Sequence, residues 1–515
     1  QRAQSAAAAA MNSSGEVALS WATQLTEGLA VIGINVDRAL IHVGNGELLR
    51  HRLWQRCLAH ENHTRGRDST SRTLTIVTTG GSMTSGSMNC LSTRKVLCVG
   101  RYVQPRRAWP AMLIRHLRSA LPGCMIQLRT VHQPATMSPT LFRDMPRVLG
   151  AAADLVIEDY TINDQRGKVV VRGRINDSVA LRNIIGAHEY TAQKLRARRT
   201  ALIMTEAYPN FHSPLRCQPH VEHAHMAIAR AYSLAVLSFM RAVCNESATA
   251  TGSSWPAEQH WRAGCGAYDK EGLDCMPHPG PHTHRIYASL LAVHILREAV
   301  RAAHTAPAEG GVGADARLPA LSEPPLAKGS GPFVLSASDL EQMRGCVTPI
   351  STIDARKNCA LPTLGGHGRR VVKGSAQGWS CFEDRPGKPG WIANSTSDRT
   401  PRTLIIPVRG THNGYLVVGY LKSYEGMGRA SLFVGGDKSR AVTLDGRWGE
   451  GTSQTQFESI PLHKLVYQNV THPVLGSGHH PSSHKVHVQV PALEDEASDS
   501  TEPVGKFKLV FVSTC

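Results

Sequence analysis

At 515 residues the chain is too long for one ordinary domain, so two or three are expected, each with length enough to bury a core. Hydrophobic residues make up 41% and aromatics 5%, and no window approaches the roughly 18 uninterrupted apolar residues that a membrane-spanning helix requires, which excludes a spanning segment at the level of sequence. The 57 Lys and Arg against 40 Asp and Glu give a formal charge of +17, yet the basic residues are dispersed, with short clusters only at 105–107 and 196–199 and no zinc-finger or RRM motif, so nucleic acid is not the expected partner. Two readings of the charge stay open: an acidic or sulfated polysaccharide partner, and a generally basic solvated surface.

Twelve cysteines divide into eight up to Cys275 and four beyond it (Cys346, Cys359, Cys381 and Cys515). An even count on each side of a domain boundary predicts disulfides closed within each domain. Six N-x-S/T sequons, at Asn12, Asn62, Asn176, Asn245, Asn394 and Asn469, point to the same compartment. The chain starts at Gln1 without a charged-then-apolar leader, as a mature form or a fragment would. A secreted or cell-surface glycoprotein is the expectation.

In chain order, residues 1–16 are Ala-rich and read as a loose tail or a frayed helix start, followed by helical patterns at 17–29 and 46–59 and a polar loop. This N-terminal region is assigned to residues 1–70. From Thr73 the pattern becomes strand and helix in alternation. Apolar runs at 73–79, 125–131, 153–161, 200–207 and 234–239 are too uniformly apolar for a half-wet sheet and predict buried strands. Helical segments at 108–121, 138–149, 180–199 and 221–232 lie between them, and a long closing helix follows at 285–304. Five strands with helices between them predict an α/β domain over 71–304 with a doubly wound, parallel five-stranded sheet, whose sites form at the carboxyl ends of its strands.

Residues 305–332, rich in Gly, Pro and Ala, read as a linker. Beyond it, short runs at 403–408, 414–421, 430–434, 441–445, 484–490 and 506–513 alternate with turn residues, and Val486, Val488 and Val490 fall on one face. A C-terminal all-β sandwich over 333–515 is predicted.

The first of the α/β strands ends in Gly80-Gly81-Ser82-Met83-Thr84-Ser85-Gly86. A phosphate loop needs Lys after the second Gly of G-x4-G, where Ser87 stands; a G-x-S-x-G elbow needs Gly at position 84, where Thr84 stands; and no G-x-G-x-x-G is present. What remains is a serine just past a buried strand. Downstream, Asn163 and Asp164 in "ADLVIEDYTIND" fall at the end of another strand, and Asp274 and His278 in "LDCMPHPGPHTH" precede the closing helix.

Ser, then Asn, then Asp and His in that order over residues 70–305 resemble the SGNH, or GDSL-like, hydrolase superfamily, whose domain is flavodoxin-like. Narrower stretches, "GAHEYTAQKL", "HMAIARAYSLAVLSFMRAV", "GWSCFEDRPGKPGWIA" and "GYLKSYEGMGRASLFV", resemble two-domain SGNH proteins of algae and fungi. The resemblance implies Ser82 as nucleophile, His278 as base and Asp274 as its orienter. The oxyanion hole would be built from the Ser82 N–H, the N–H at Ala135 and the Asn163 amide. Asp274 and His278 stand four apart where the family has three, which leaves Asp269 open as the orienter. The activity implied is hydrolysis of an O-acyl ester, O-acetyl above all, on carbohydrate, with no cofactor and no metal; the rival is a non-catalytic extracellular scaffold of the same fold.

Two other constellations have competing readings. His220, Glu222, His223 and His225 in "HVEHAH", with His282 and His284, carry ligand-type side chains, but H-E-x-x-H is missing and a polar helix face is the simpler expectation. Trp379, Trp391, Tyr415, Tyr420 and Tyr424 read either as a sugar-stacking platform or, more simply, as sandwich core.

Overall fold

The apolar runs form a six-stranded sheet in a computed structural model that describes residues 2–58, 73–85, 105–132, 136–150, 152–166, 170–171, 174–175, 178–206, 222–244, 279–305, 351–354, 376–383, 389–394, 400–410, 415–423, 426–447, 453–466, 482–491 and 506–514. The chain separates into two compact units, Gln1–Val334 and Leu335–Cys515. The strands of the first unit are β1 (Leu40–His42), β2 (Thr73–Gly80), β3 (Met125–His132), β4 (Leu155–Asp159), the small hairpin β5 (Val170–Val171) and β6 (Arg174–Ile175), β7 (Ala201–Glu206) and β8 (Ala235–Ser238).

All five expected strands pair in parallel, in the order β8-β7-β4-β2-β3, and the short β1, which the sequence did not announce, closes the β8 edge antiparallel. Counting only the parallel strands in chain order, this is the 2-1-3-4-5 winding, in which the connection reverses direction between β2 and β4. The carboxyl ends of those two strands therefore border the crevice where a ligand site is built.

Helices cover both faces. On one, the N-terminal helix Arg2–Val31, the helix Trp109–Ala120 and the closing helix Pro281–His304 pack together over Leu74, Ile76, Leu155, Ile157, Ile203 and Leu237. The N-terminal helix runs unbroken from Arg2, so the alanine run is helix rather than a loose tail, as the high helix propensity of Ala favours. On the other face lie Leu141–Leu149, Ser178–Ala197 and Glu222–Tyr232. Cys57 and Cys124 form a disulfide that ties the Trp54–Leu58 turn to the chain just before β3, and Cys244 is also disulfide-bonded.

In the second unit the strands are β9 (Ser351–Asp354), β10 (Ala376–Gln377), β11 (Trp379–Glu383), β12 (Pro389–Asn394), β13 (Arg402–Gly410), β14 (Tyr415–Lys422), β15 (Arg429–Val434), β16 (Val442–Asp445), β17 (Gln454–Pro461), β18 (Ser482–Val490) and β19 (Lys506–Thr514). They form a five-stranded antiparallel sheet in the order β10-β13-β18-β15-β16 and a six-stranded one, β11-β12-β19-β14-β17 with β9 beside β19. The two sheets share one core: Leu404, Ile406, Val486 and Val488 of the first meet Leu416, Val418, Phe507 and Leu509 of the second. This is the β-sandwich. Trp379, Trp391 and Tyr420 belong to that core and Tyr415 is buried, which removes them from a sugar-stacking platform, while Tyr424 lies outside the described residues.

Two consequences are measurable. The Cys57–Cys124 crosslink spans 67 residues, a loop whose closure restricts the unfolded chain by about 4 kcal/mol; replacing both cysteines by alanine should lower unfolding stability by about 2–4 kcal/mol in denaturant titration. Burial, with no other contributor, holds His284 down to about 3, and burial with Arg301 and Arg297, against Glu298, holds His294 near 4. Each therefore stays neutral when folded but protonates near 6.5 when unfolded, so stability is whole above pH 6.5 and falls as pH drops toward 4, by up to about 1.4 kcal/mol per pH unit for each residue. His294→Gln should flatten that acid limb in thermal melts across pH 4–7.

Candidate active site

The period-2 alternation of a strand places the last residues of β4 on opposite faces of the sheet. Leu155 and Ile157 belong to the core on the closing-helix face, and Asp159 continues that row. Its Oδ2 accepts from the Thr84 hydroxyl at 2.9 Å and from the Trp109 indole N–H at 3.1 Å. Glu158 faces the other way, toward the helix Ser178–Ala197. Both carboxyls are buried. Burial raises the Asp159 pKa to about 6, against donors from Thr84, Trp109 and Tyr287 that hold it down and with the Asp164 charge adding to the rise.

Directly across from Asp159 in register stands Gly80, at the end of β2. The chain continues the pairing for one more residue, Gly81 N–H donating to the Asp159 carbonyl at 3.2 Å, and then turns into a single helical turn, Ser82–Ser85, closed by the Ser85 hydroxyl on the Ser82 carbonyl. Both glycines are required by close approach. A Cβ on Gly80 would run into Thr84 Oγ1 and the Asp159 carbonyl, and one on Gly81 would occupy the place of Asn163 Nδ2. A Cβ on Gly81 would also come into van der Waals contact with the Thr136 carbonyl.

Asn163 comes from the helix Thr161–Arg166, which begins two residues beyond β4 and is fixed at its start by Asn163 and Asp164 N–H on the Tyr160 carbonyl. Tyr160 in turn shares a 2.7 Å hydrogen bond with Thr79 of β2, and the Thr161 hydroxyl donates to the Thr205 carbonyl at the end of β7. Three strand ends are thus laced together under one loop. The result sets the Asn163 amide against Gly81, the residue before Ser82, which is itself only 6% exposed, at the winding reversal between β2 and β4.

A second buried polar group lies below Asn163. His188 Nδ1 is 2.8 Å from Glu158 Oε2 and its Nε2 is 3.6 Å from Asp164 Oδ2, while Asp164 Oδ1 accepts the Ser138 N–H at 2.8 Å. His225 packs its ring edge-to-face on His188 with centroids 4.4 Å apart, and its Nδ1 is 3.0 Å from Glu206 Oε1. Burial lowers the His188 pKa, but the Glu158 and Asp164 carboxylates outweigh it and bring the value to about 9. Asp164, His188 and His225 have ligand-type atoms within 4.8 Å of one another, close enough for one metal ion. Both ring nitrogens of His188 face carboxylates, Nδ1 within hydrogen-bond distance of Glu158 and Nε2 in an ion pair with Asp164 at 3.6 Å that is too long for a hydrogen bond.

Of the residues singled out in the sequence, Asn163 lies against Gly81, the residue before Ser82; Ala135, Asp269, Asp274 and His278 lie outside the described residues, as do His220 and Tyr424. His225 is buried against His188 rather than on a polar helix face, and His284 is buried too, its Nδ1 accepting from the Trp109 backbone N–H at 3.3 Å. Sequence reasoning missed Thr84, Trp109, Asp159, Glu158 and His188. The acidic pair at the end of an otherwise apolar strand, Glu158-Asp159, was the available signal, since a buried carboxylate requires a partner.

No family model and no curated protein matches the sequence. Among solved structures, a two-domain esterase (CEX) active on acetylated mannans aligns over 93% of this chain and 98% of its own, with 15% identity and a TM-score of 0.53. The same esterase co-crystallized with mannopentaose aligns over 93% and 97%, with 17% identity and a TM-score of 0.52. Coverage of this extent takes in the winding of the sheet and the sandwich alike. The likeness is one of fold: the chain shares the two-domain architecture of that esterase, an α/β domain followed by a β-sandwich.

Proposed function

We propose that the protein is a serine esterase that removes O-acyl groups, O-acetyl in the first instance, from a polysaccharide outside the cell. The observation that supports this reading is the closeness of the Asn163 amide to Gly81, the residue before the buried Ser82, at the sheet's winding reversal. On this reading Asn163 supplies a neutral hydrogen-bond donor for the oxyanion that attack by Ser82 creates. The similarity in fold to an esterase active on acetylated mannans supports the substrate class.

In this mechanism His278 takes the Ser82 proton as Oγ attacks the ester carbonyl. The negative charge that collects on the carbonyl oxygen is held by the Ser82 N–H, the N–H at Ala135 and the Asn163 amide. Collapse expels the sugar hydroxyl, protonated by His278, and leaves an acyl-Ser82; water deprotonated by His278 then releases the acid and restores the serine. Asp274, or Asp269 in its place, orients the imidazole. No step calls for a cofactor.

Extracellular action is supported by the cysteines: each one in the described residues, Cys57, Cys124, Cys244 and Cys381, is disulfide-bonded. Among the described residues no helix is long and apolar enough to cross a membrane. The glycan partner has a candidate surface in Arg106, Arg115 and Arg285, exposed side chains of the 105–107 turn and two adjacent helices. Burial first, then the charges of Arg115 and Arg285, depress His116 between them. Such a field suits a polysaccharide that carries carboxylates or sulfates.

Two experiments test these statements. A fluorophosphonate probe should label the full chain and fail to label Ser82→Ala, and Asn163→Ala should lose about 100-fold or more in kcat on an acetylated glycan; labelling that survives Ser82→Ala removes Ser82 as the nucleophile, and no labelling in either form leaves a non-catalytic scaffold. With acetylated polyuronate and acetylated mannan compared as substrates, raising salt should raise KM for the acidic one alone, and Arg115→Ala/Arg285→Ala should abolish the difference.

A further inference from the structure

We infer that His188 is a positioning residue: by bridging Glu158 and Asp164 it holds the carboxylate that joins segment 136–138 to segment 161–164, which carries Asn163. The oxyanion role of Asn163 rests on the esterase reading; the clamp itself does not.

Asp164 is the residue after Asn163, and its two oxygens serve different elements: Oδ1 takes the Ser138 N–H at 2.8 Å, and Oδ2 faces His188 Nε2 at 3.6 Å. Ser138 opens the Ser138–Thr140 turn two residues after Thr136, whose carbonyl a Cβ on Gly81 would touch, as it would the Asn163 amide. One carboxylate therefore joins the two loops that approach Gly81. What holds that carboxylate is His188, whose second nitrogen is anchored 2.8 Å from Glu158, at the rigid end of β4.

Charge decides that a histidine is needed. Glu158 and Asp164 are both wholly buried, and two carboxylates sharing one dry site repel unless a cation lies between them. A neutral imidazole has one donor nitrogen and one acceptor, so it satisfies one carboxylate and opposes the other; only the imidazolium turns an N–H toward both, as a hydrogen bond to Glu158 and a 3.6 Å ion pair to Asp164. The elevated pKa agrees with that form at neutral pH. The ring cannot turn away, because His225 packs edge-on against it, backed by Glu206. His188 does not reach Ser82 or a substrate; it acts through Asp164 on the position of Asn163. A shift of the order of 1 Å in a catalytic group costs about 100-fold in rate, so a small loosening here is large in its effect.

The test is a double-mutant cycle on the full chain with hydrogen exchange beside it. His188→Gln should lower kcat on an acetylated glycan by about 10- to 100-fold with little change in KM. In an Asn163→Ala background the same change should cost less than about 3-fold, because the residue through which it acts is already gone. A merely structural role would give the same factor in both backgrounds and would overturn the inference. Hydrogen–deuterium exchange supplies a readout free of activity: His188→Gln should speed exchange in 136–140 and 161–166 while strand 73–80 and helix 281–304 keep their protection. Unchanged exchange in the first two segments overturns the clamp even if the natural protein proves to have no esterase activity. Should His188→Gln fail to fold, Asp164→Asn keeps an acceptor for Ser138 and removes the charge, and the same local exchange and the same non-additivity with Asn163→Ala are expected.

Discussion

The site depends on how two adjacent carboxylates leave the end of one strand. Because successive side chains of β4 point to opposite faces, Glu158 and Asp159 enter different layers of the protein, and each is buried where it requires its own set of partners. Asp159 gathers Thr84 and Trp109 and so fixes the serine turn to the helices on the closing-helix face. Glu158 gathers His188 and, through it, Asp164, and so fixes the asparagine loop to the helices on the other face. A serine and an amide carried by different loops are thereby referred to the same strand. Loops that held themselves only by their own hydrogen bonds would not keep such a relation, since loop backbone is the least stable part of a fold.

The sheet winding determines where this happens. Parallel strands wound outward from β2 leave a crevice between β2 and β4, where no connection crosses the carboxyl edge. Gly80 and Gly81 make the crevice usable, because side chains there would fill the space taken by Thr84, the Asp159 carbonyl and the Asn163 amide. The Cys57–Cys124 bond and the long N-terminal helix act away from this edge and stabilise the layer beneath it.

Much of this was legible in the amino-acid order. The five buried strands follow from their apolar runs, and the serine after two glycines followed by Asn163 identifies the two loops. The strands of the sandwich with clean alternation, such as β18, were equally plain, whereas β11, β12 and β17, which mix aromatic, polar and glycine residues, were not. Strand order was hidden because pairing is a long-range choice: β2 lies between β3 and β4, and nothing local in any of them states it. The same reason conceals the clamp. His188 and Glu158 are 30 residues apart on a helix and a strand, and each alone reads as an ordinary polar residue. His225 was misplaced on a wet helix face because an imidazole in a histidine-rich stretch gives no sign that its partner, Glu206, ends a distant strand.

An electrostatic difficulty in the esterase reading is answered by the same network. On that reading acyl transfer would gather negative charge near Asn163, while three buried carboxyls, Glu158, Asp159 and Asp164, stand at the end of the same strand and in the loop after it. A unit charge at 8 Å in a medium of effective dielectric near 20 opposes another of its own sign by about 2 kcal/mol, so three bare carboxylates would cancel much of what an oxyanion hole contributes. They are not bare. Asp159, lifted to about 6 by burial, shares its charge with two donors, and the imidazolium of His188 lies between the other two. Replacing that cation by a neutral side chain would thus weaken the site twice, by freeing the loop and by exposing the oxyanion to the charge of those carboxylates. The second effect would survive even if the loop were held in place by other means. A buried cation that never touches the substrate would in this way be part of what permits an anion to form at the site.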